Sequence, residues 1–355
     1  MTYCIFTTNY HALTELTMKH LYLLTTCLFV LGSSLSLFAQ NSKRVPDPQN
    51  TREGEHVEYC ITHKKHNALL SNSAYVQGLQ EAEMAYELVA KKGNQQKGTI
   101  YTIPVVFHVM HFGGIENISD EQILNALAIL NRDYRKQNAD TATVHPDFQG
   151  MPADIEVEFK LATIAPNGQC FSGITRTFSP MSYQGDDGDA QVDAIIAGNN
   201  VYNGTWAGNK YLNIFVCGDI GGAAGYTYKP STWGATSMKN GIWILHDYVG
   251  AIGTGGVGTS RALTHEVGHW LNLRHIWGDA TCGSDLVGDT PQHNTANYSC
   301  PTYPHYSTCT GTPVEMTMNY MDYTNDACMY MFSEGQKERM RTIFLAGGAR
   351  DSMVN

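Results

Sequence analysis

The chain has 355 residues and a formal net charge of −10, with 33 acidic against 23 basic side chains. That length accommodates one large or two moderate domains with a real hydrophobic core. The acidic balance and the lack of a polybasic face exclude nucleic acid or an anionic membrane as the main partner.

Met18-Lys19-His20 precedes an almost wholly apolar or hydroxylic run from Leu21 to Phe38, and Ala39 offers a small residue for cleavage. This is the pattern of a secretory signal peptide over residues 1–39. The run is short and has no basic stop-transfer flank, which argues against a stable membrane anchor. Residues 1–17 carry no signal character, so Met18 is the more natural start.

Residues 40–98 are polar, with one helical pattern from Ala74 to Ala90, too little apolar surface to fold alone. The stretch Lys91 to Gly98 has no apolar residue and marks the domain boundary. From residue 99 to 355 the texture changes. Ile100 to Phe112 reads as a strand, and Ser119-Asp120-Glu121-Gln122 opens an amphipathic helix reaching about Lys136. Ile155 to Leu161 alternates as a half-buried strand, and Tyr211–Val216 and Gly241–Leu245 are two more. Gly221 to Tyr228 fits a glycine-rich edge strand. Beyond His275 the chain is mostly loop until a closing helix from Ser333 to about Leu345.

The densest chemistry lies in His265-Glu266-Val267-Gly268-His269-Trp270-Leu271-Asn272-Leu273-Arg274-His275. Four residues apart on a helix, His265 and His269 share a face and can reach one metal ion. Glu266 is rotated by about 100° from His265, a position suited to a general base beside the metal. His275 would fall on another face of an unbroken helix, so the helix must stop first. Asn272 tolerates the left-handed backbone that closes a helix, and His275 then returns as a third ligand. Three histidines leave a fourth zinc position open, as in a catalytic rather than a structural site.

Met318-Asn319-Tyr320-Met321-Asp322-Tyr323 follows some fifty residues later. Together with the extended histidine motif, it resembles the pappalysin family of metzincin zinc endopeptidases, over roughly Tyr101 to Leu345. The resemblance implies an α/β catalytic domain over 99–355. It would have a twisted mixed sheet, a backing helix and an active-site helix in an upper subdomain, above a loop-rich, disulfide-stapled lower subdomain. Residues 40–98 would then be a propeptide. Met321 would form the apolar floor under the zinc, and Tyr323 would donate to the oxyanion of the tetrahedral intermediate. Asn272 stands where most metzincins have glycine, and it keeps the left-handed tolerance.

Of nine cysteines, six lie in the catalytic region, an even number that favours disulfides in an exported domain. The resemblance implies the pairs Cys282–Cys309 and Cys300–Cys328, which leaves Cys170 with Cys217. No CxxC spacing supports a second zinc site. Cys60 is left over, and in similar proteases a propeptide cysteine ligates the zinc and keeps the zymogen silent. Asp279, Asp285 and Asp289 place hard oxygens on one loop and are expected to hold a structural calcium. Asp326 is expected to line the pocket receiving the side chain after the scissile bond and to favour Arg or Lys there. Bonds before Lys91, Lys92 or Lys97 would then be candidates for self-cleavage.

The expectation is a secreted zinc endopeptidase made as a zymogen and acting on protein or peptide substrates; oligomeric state is not legible. The alternative is a zinc-bearing binding or adhesion protein without catalysis, which would need neither Glu266 nor Tyr323.

Overall fold

The architecture follows from one long apolar strand. In the computed structural model, which describes residues 50–91, 98–198, 201–202 and 204–354, β-branched and aromatic residues form β2, Tyr101–His111. Its residues from Val105 to Met110 are all buried, so both faces are covered, as in the interior of a mainly parallel sheet. The expected signal segment and most of the linker lie outside the described residues.

On one side β2 pairs first with β3, Val157–Leu161, and further along with β4, Ile174–Phe178. On the other it pairs with β5, Leu212–Cys217. Next come β7, Ile242–Leu245, and β6, Ala223–Thr227, the latter antiparallel to β7. A short strand near the start of the described chain, β1, Glu58–Cys60, completes the order β1-β6-β7-β5-β2-β3. The glycine-rich strand expected at 221–228 is therefore an edge that β1 covers.

Helix α1 spans Thr62–Leu69 and α2 spans Ser73–Lys91. Helix α3, Asp120–Tyr134, starts where expected, with the Ser119 side chain accepting from the Gln122 amide at 3.2 Å. It packs against β3 and α5, Ala262–Trp270. Sequence periodicity missed α4, Gly188–Ile196, because its apolar residues crowd into its last turns. Strand β3 starts later than expected because Glu156 has a positive φ of 59°. The closing helix α6 covers Glu334–Thr342 under a Ser333/Gln336 capping box, and α7, Asp351–Val354, ends the fold.

Below α5 the chain from Gly278 to Ser333 is largely irregular, as its composition implies. Two disulfides staple it, Cys282–Cys309 and Cys300–Cys328. The pairing of Cys170 with Cys217 is overturned. Cys217 is a free, fully buried thiol at the end of β5, where strand packing makes it a small apolar filler.

Candidate active site

Every residue of α5 is buried, which fixes the rotamers of the histidines it carries. The helix ends in a Schellman motif. The Asn272 amide donates to the His269 carbonyl and the Leu273 amide to the Gly268 carbonyl, each at 2.9 Å, with Asn272 at φ 79°. Asn272 is the expected left-handed stop, and three residues later His275 faces the helix it has just left.

The three imidazoles converge. His269 Nε2 lies 3.2 Å from His265 Nε2 and 3.0 Å from His275 Nε2. Their Nδ1 atoms are all engaged elsewhere: His265 with the Tyr320 carbonyl at 2.7 Å, His269 with the Leu273 carbonyl at 3.0 Å, and His275 with the Asp279 carboxylate. Because those partners accept, Nδ1 carries the proton and the Nε2 lone pairs point at one another. Burial pushes His265 and His269 well below the ordinary histidine range, so protonation does not relieve this contact. Three neutral donors aimed at one point fit a divalent cation of borderline softness, and zinc suits them.

Around this centre stand the other expected residues. Cys60 lies with the three histidines in one group whose ligand atoms are all within 4.8 Å of one another. Burial and the nearby Glu266 push its thiol up, a tendency that a coordinated cation reverses. Glu266 is buried, and burial raises its carboxyl to about 8. Its Oε2 accepts from the Thr62 hydroxyl at 3.1 Å. The Tyr323 hydroxyl donates to the Cys60 carbonyl at 2.8 Å, and its ring lies edge-on to His275 at 5.0 Å. Met321 is buried beneath α5 and touches Gly268, where an added Cβ would stand 2.4 Å from the Met321 sulfur.

Asp326 is buried beside this centre and is bound by a residue that sequence reasoning missed. Arg52 donates through Nη1 to Asp326 Oδ1 at 2.9 Å and through Nε to the Tyr323 carbonyl at 3.2 Å. Its guanidinium lies 3.3 Å over the Tyr59 ring. Opposite, the Arg261 amide donates to Asp326 Oδ2 at 2.7 Å. Thr62 was missed as well, and so was Gly225, where a Cβ would meet Glu266 Cγ at 2.7 Å. Only the pairing of β1 with β6 brings these together, at sequence separations that no local pattern reveals.

The structure does not gather the three aspartates expected to hold calcium. Asp279 is taken by His275; Asp289 receives the Ser333 hydroxyl and the Gly335 amide at the start of α6. Asp285 stays on its own loop, accepting from Thr290 at 2.8 Å and from the Val287 amide at 3.1 Å. Two of the three thus serve as an orienter and a helix cap.

A mixed sheet over a buried helix with two histidines, a third histidine beyond a left-handed stop and a methionine floor define a metalloendopeptidase of the metzincin class. The chain belongs to the pappalysin family: residues 196–345 match the peptidase family described as pregnancy-associated plasma protein-A. It is 34% identical to a mutant of Tannerella forsythia promirolysin, covering 83% of this chain and 97% of that one at a TM-score of 0.73. Mature mirolysin of the same organism, in complex with a cleaved peptide, is 38% identical, covering 73% and 96% at a TM-score of 0.64. An extracellular metalloprotease of Colletotrichum graminicola is 29% identical over 253 residues, 68% of this chain and 76% of its own. Among the described residues no helix is long and apolar enough to cross a membrane.

Proposed function

We propose that the protein is an exported zymogen of a zinc endopeptidase that cuts before Arg or Lys, held silent by residues 50–91. The observation that carries this reading is the double engagement of that segment, with Cys60 beside the three histidines and Arg52 on Asp326. The promirolysin structure also aligns with more of this chain than the mature enzyme does.

His265, His269 and His275 would hold a zinc ion, which when bound would supply a Lewis acid for the scissile carbonyl and lower the pKa of water. Glu266 takes the attacking water's proton and returns it to the leaving amine. Tyr323 donates to the oxyanion, and Asp279, through His275 Nδ1, fixes that ring's tautomer and aim. In the closed chain each of these functions is blocked: Cys60 offers a fourth donor, Thr62 caps Glu266 and the Cys60 carbonyl occupies Tyr323.

Direction of travel explains why the segment is not itself a substrate. If Asp326 receives the side chain after the scissile bond, a substrate's carboxyl-terminal half lies on the Arg52 side. Residues 50–62 run from that pocket past the histidines to Thr227, the opposite way, with β1 parallel to β6. A peptide that pairs antiparallel with β6 presents its bond correctly; the segment presents the reverse.

Of the expected calcium ligands, only Asp285 keeps its carboxylate on the loop. Added calcium raising the thermal midpoint of the zinc-loaded protein would support a calcium site there.

Peptide hydrolysis by the cleaved protein tests the reading. A chelator should abolish it and zinc restore it. Glu266→Ala should lower kcat by about 100-fold or more with zinc content unchanged. Full activity after either treatment would overturn the mechanism.

A further inference from the structure

Residues 62–91 cover a second feature besides the metal centre. A cavity of about 100 Å³ is lined by His66 and Glu83 from that segment and by Lys229, Asn272, Arg274 and Arg339 from the rest of the chain. Arg339 is aimed by the reversal that closes the zinc helix, since its Nε donates to the Asn272 carbonyl at 2.8 Å. Its two terminal nitrogens grip Glu83 as a bidentate pair, at 2.7 and 2.9 Å. Glu83 is therefore a carboxylate already seated in a cationic pocket. Among the described residues, Lys229 and Arg274 form no ion pair. Burial and the neighbouring Arg274 lower the Lys229 ammonium to about 8, and burial, with the neighbouring Lys229 next, lowers His66 to about 4. Three cations face the Glu83 carboxylate, with Asp279 and Asp285 contributing to their field from outside the cavity lining, so Glu83 is the one carboxylate that the cavity itself supplies.

We infer that, once residues 50–91 leave, Lys229, Arg274 and Arg339 form a subsite for an acidic side chain on the amino-terminal side of the scissile bond. The inference rests on the proposed substrate direction. Strand β6 ends at Thr227, two residues short of Lys229, and the register opposite Cys60 is Gly225. From there to Lys229 is about 13 Å of extended chain, roughly four residues. With the substrate antiparallel to β6, the side chain reaching the cations belongs to about the fourth residue before the cut. The chain's own linker has this pattern: Glu87 is the fourth residue before the bond preceding Lys91. Glu83 in the closed form would then occupy the subsite as Arg52 occupies the Asp326 pocket, and one segment would block both specificity pockets.

The test uses the zinc enzyme from which residues 50–91 have been removed. Six peptides are compared, identical except for Glu, Gln or Lys at the fourth residue before the bond and Arg or Leu after it, with cut sites mapped by mass spectrometry. The expected kcat/KM ratio of Glu to Lys peptides is about tenfold or more at low salt, shrinking toward unity in 0.5 M NaCl as the cations are screened. In Lys229→Gln and in Arg274→Gln the ratio should fall to within about threefold, independently of any change in overall rate. A ratio of unity in the unmodified enzyme would overturn the subsite. Loss of the Arg-over-Leu preference would instead overturn the reading of Asp326, and the Glu-to-Lys ratio at whichever bond is cut would still decide this one.

Discussion

The zinc helix and the segment that covers it are held to different degrees by burial. Helix α5 is buried at every position and ends in a hydrogen-bonded reversal, with each histidine fixed by a second partner. Residues 50–91 present α1, with one buried residue, and α2, whose Met84 and Leu88 are exposed. They attach through β1, whose three residues are buried where it pairs with β6, and through charged or polar contacts: Arg52–Asp326, Thr62–Glu266 and Glu83–Arg339. A buried apolar helix stays put when one contact is lost. The covering segment instead combines one buried edge strand with helices that are mostly exposed or half-buried.

That difference can be broken at several points. The largest effect is expected at Asp326, because Asp326→Asn leaves a buried guanidinium without its carboxylate. Cleavage before Arg should fall by about 100-fold or more relative to cleavage before an apolar residue. An unchanged preference would mean that Asp326 does not read the substrate. Next, Cys60→Ala in the uncleaved chain removes the contact at the metal centre alone. Activity before any processing should rise by about tenfold to 100-fold, whereas unaltered latency would leave the cover's polar contacts sufficient without the thiol. Gly225→Ala probes the rigid side. The nearest atoms its Cβ would meet all belong to Glu266, so kcat should drop about tenfold at constant zinc content.

The smallest effect concerns the sheet behind the site. His108 on β2 is buried between the Thr175 hydroxyl at 2.8 Å and the Asn213 side-chain oxygen at 3.0 Å, and burial lowers it to about 4 from 6.5. A group with a depressed folded pKa stabilises fully above the unfolded value and loses that contribution as pH falls toward the folded one. Stability should therefore drop by about 1 kcal/mol between pH 7.5 and pH 5.5 from this residue. Denaturant titrations of His108→Gln across that range should show a correspondingly flatter pH dependence; an identical slope would assign the loss to other groups.

The chain by itself determined what depends on local spacing. A four-residue interval puts His265 and His269 on one face whatever surrounds them, and Asn272 is among the few residues that can reverse the chain after them. Strand β2 and helix α3 were legible from their periodicity and the Ser119 cap. The tertiary structure alone decided what meets across long separations. Arg52 reaches Asp326, Thr62 reaches Glu266, and Glu83 reaches Arg339 only because β1 adds to the edge of the sheet and α2 lies against α6. It also separated the three loop aspartates, giving Asp279 to His275 and Asp289 to α6, and kept Cys217 from Cys170. Side-chain type says what a carboxylate or thiol can do; which partner it finds is set by the packing of distant elements, which no local pattern encodes.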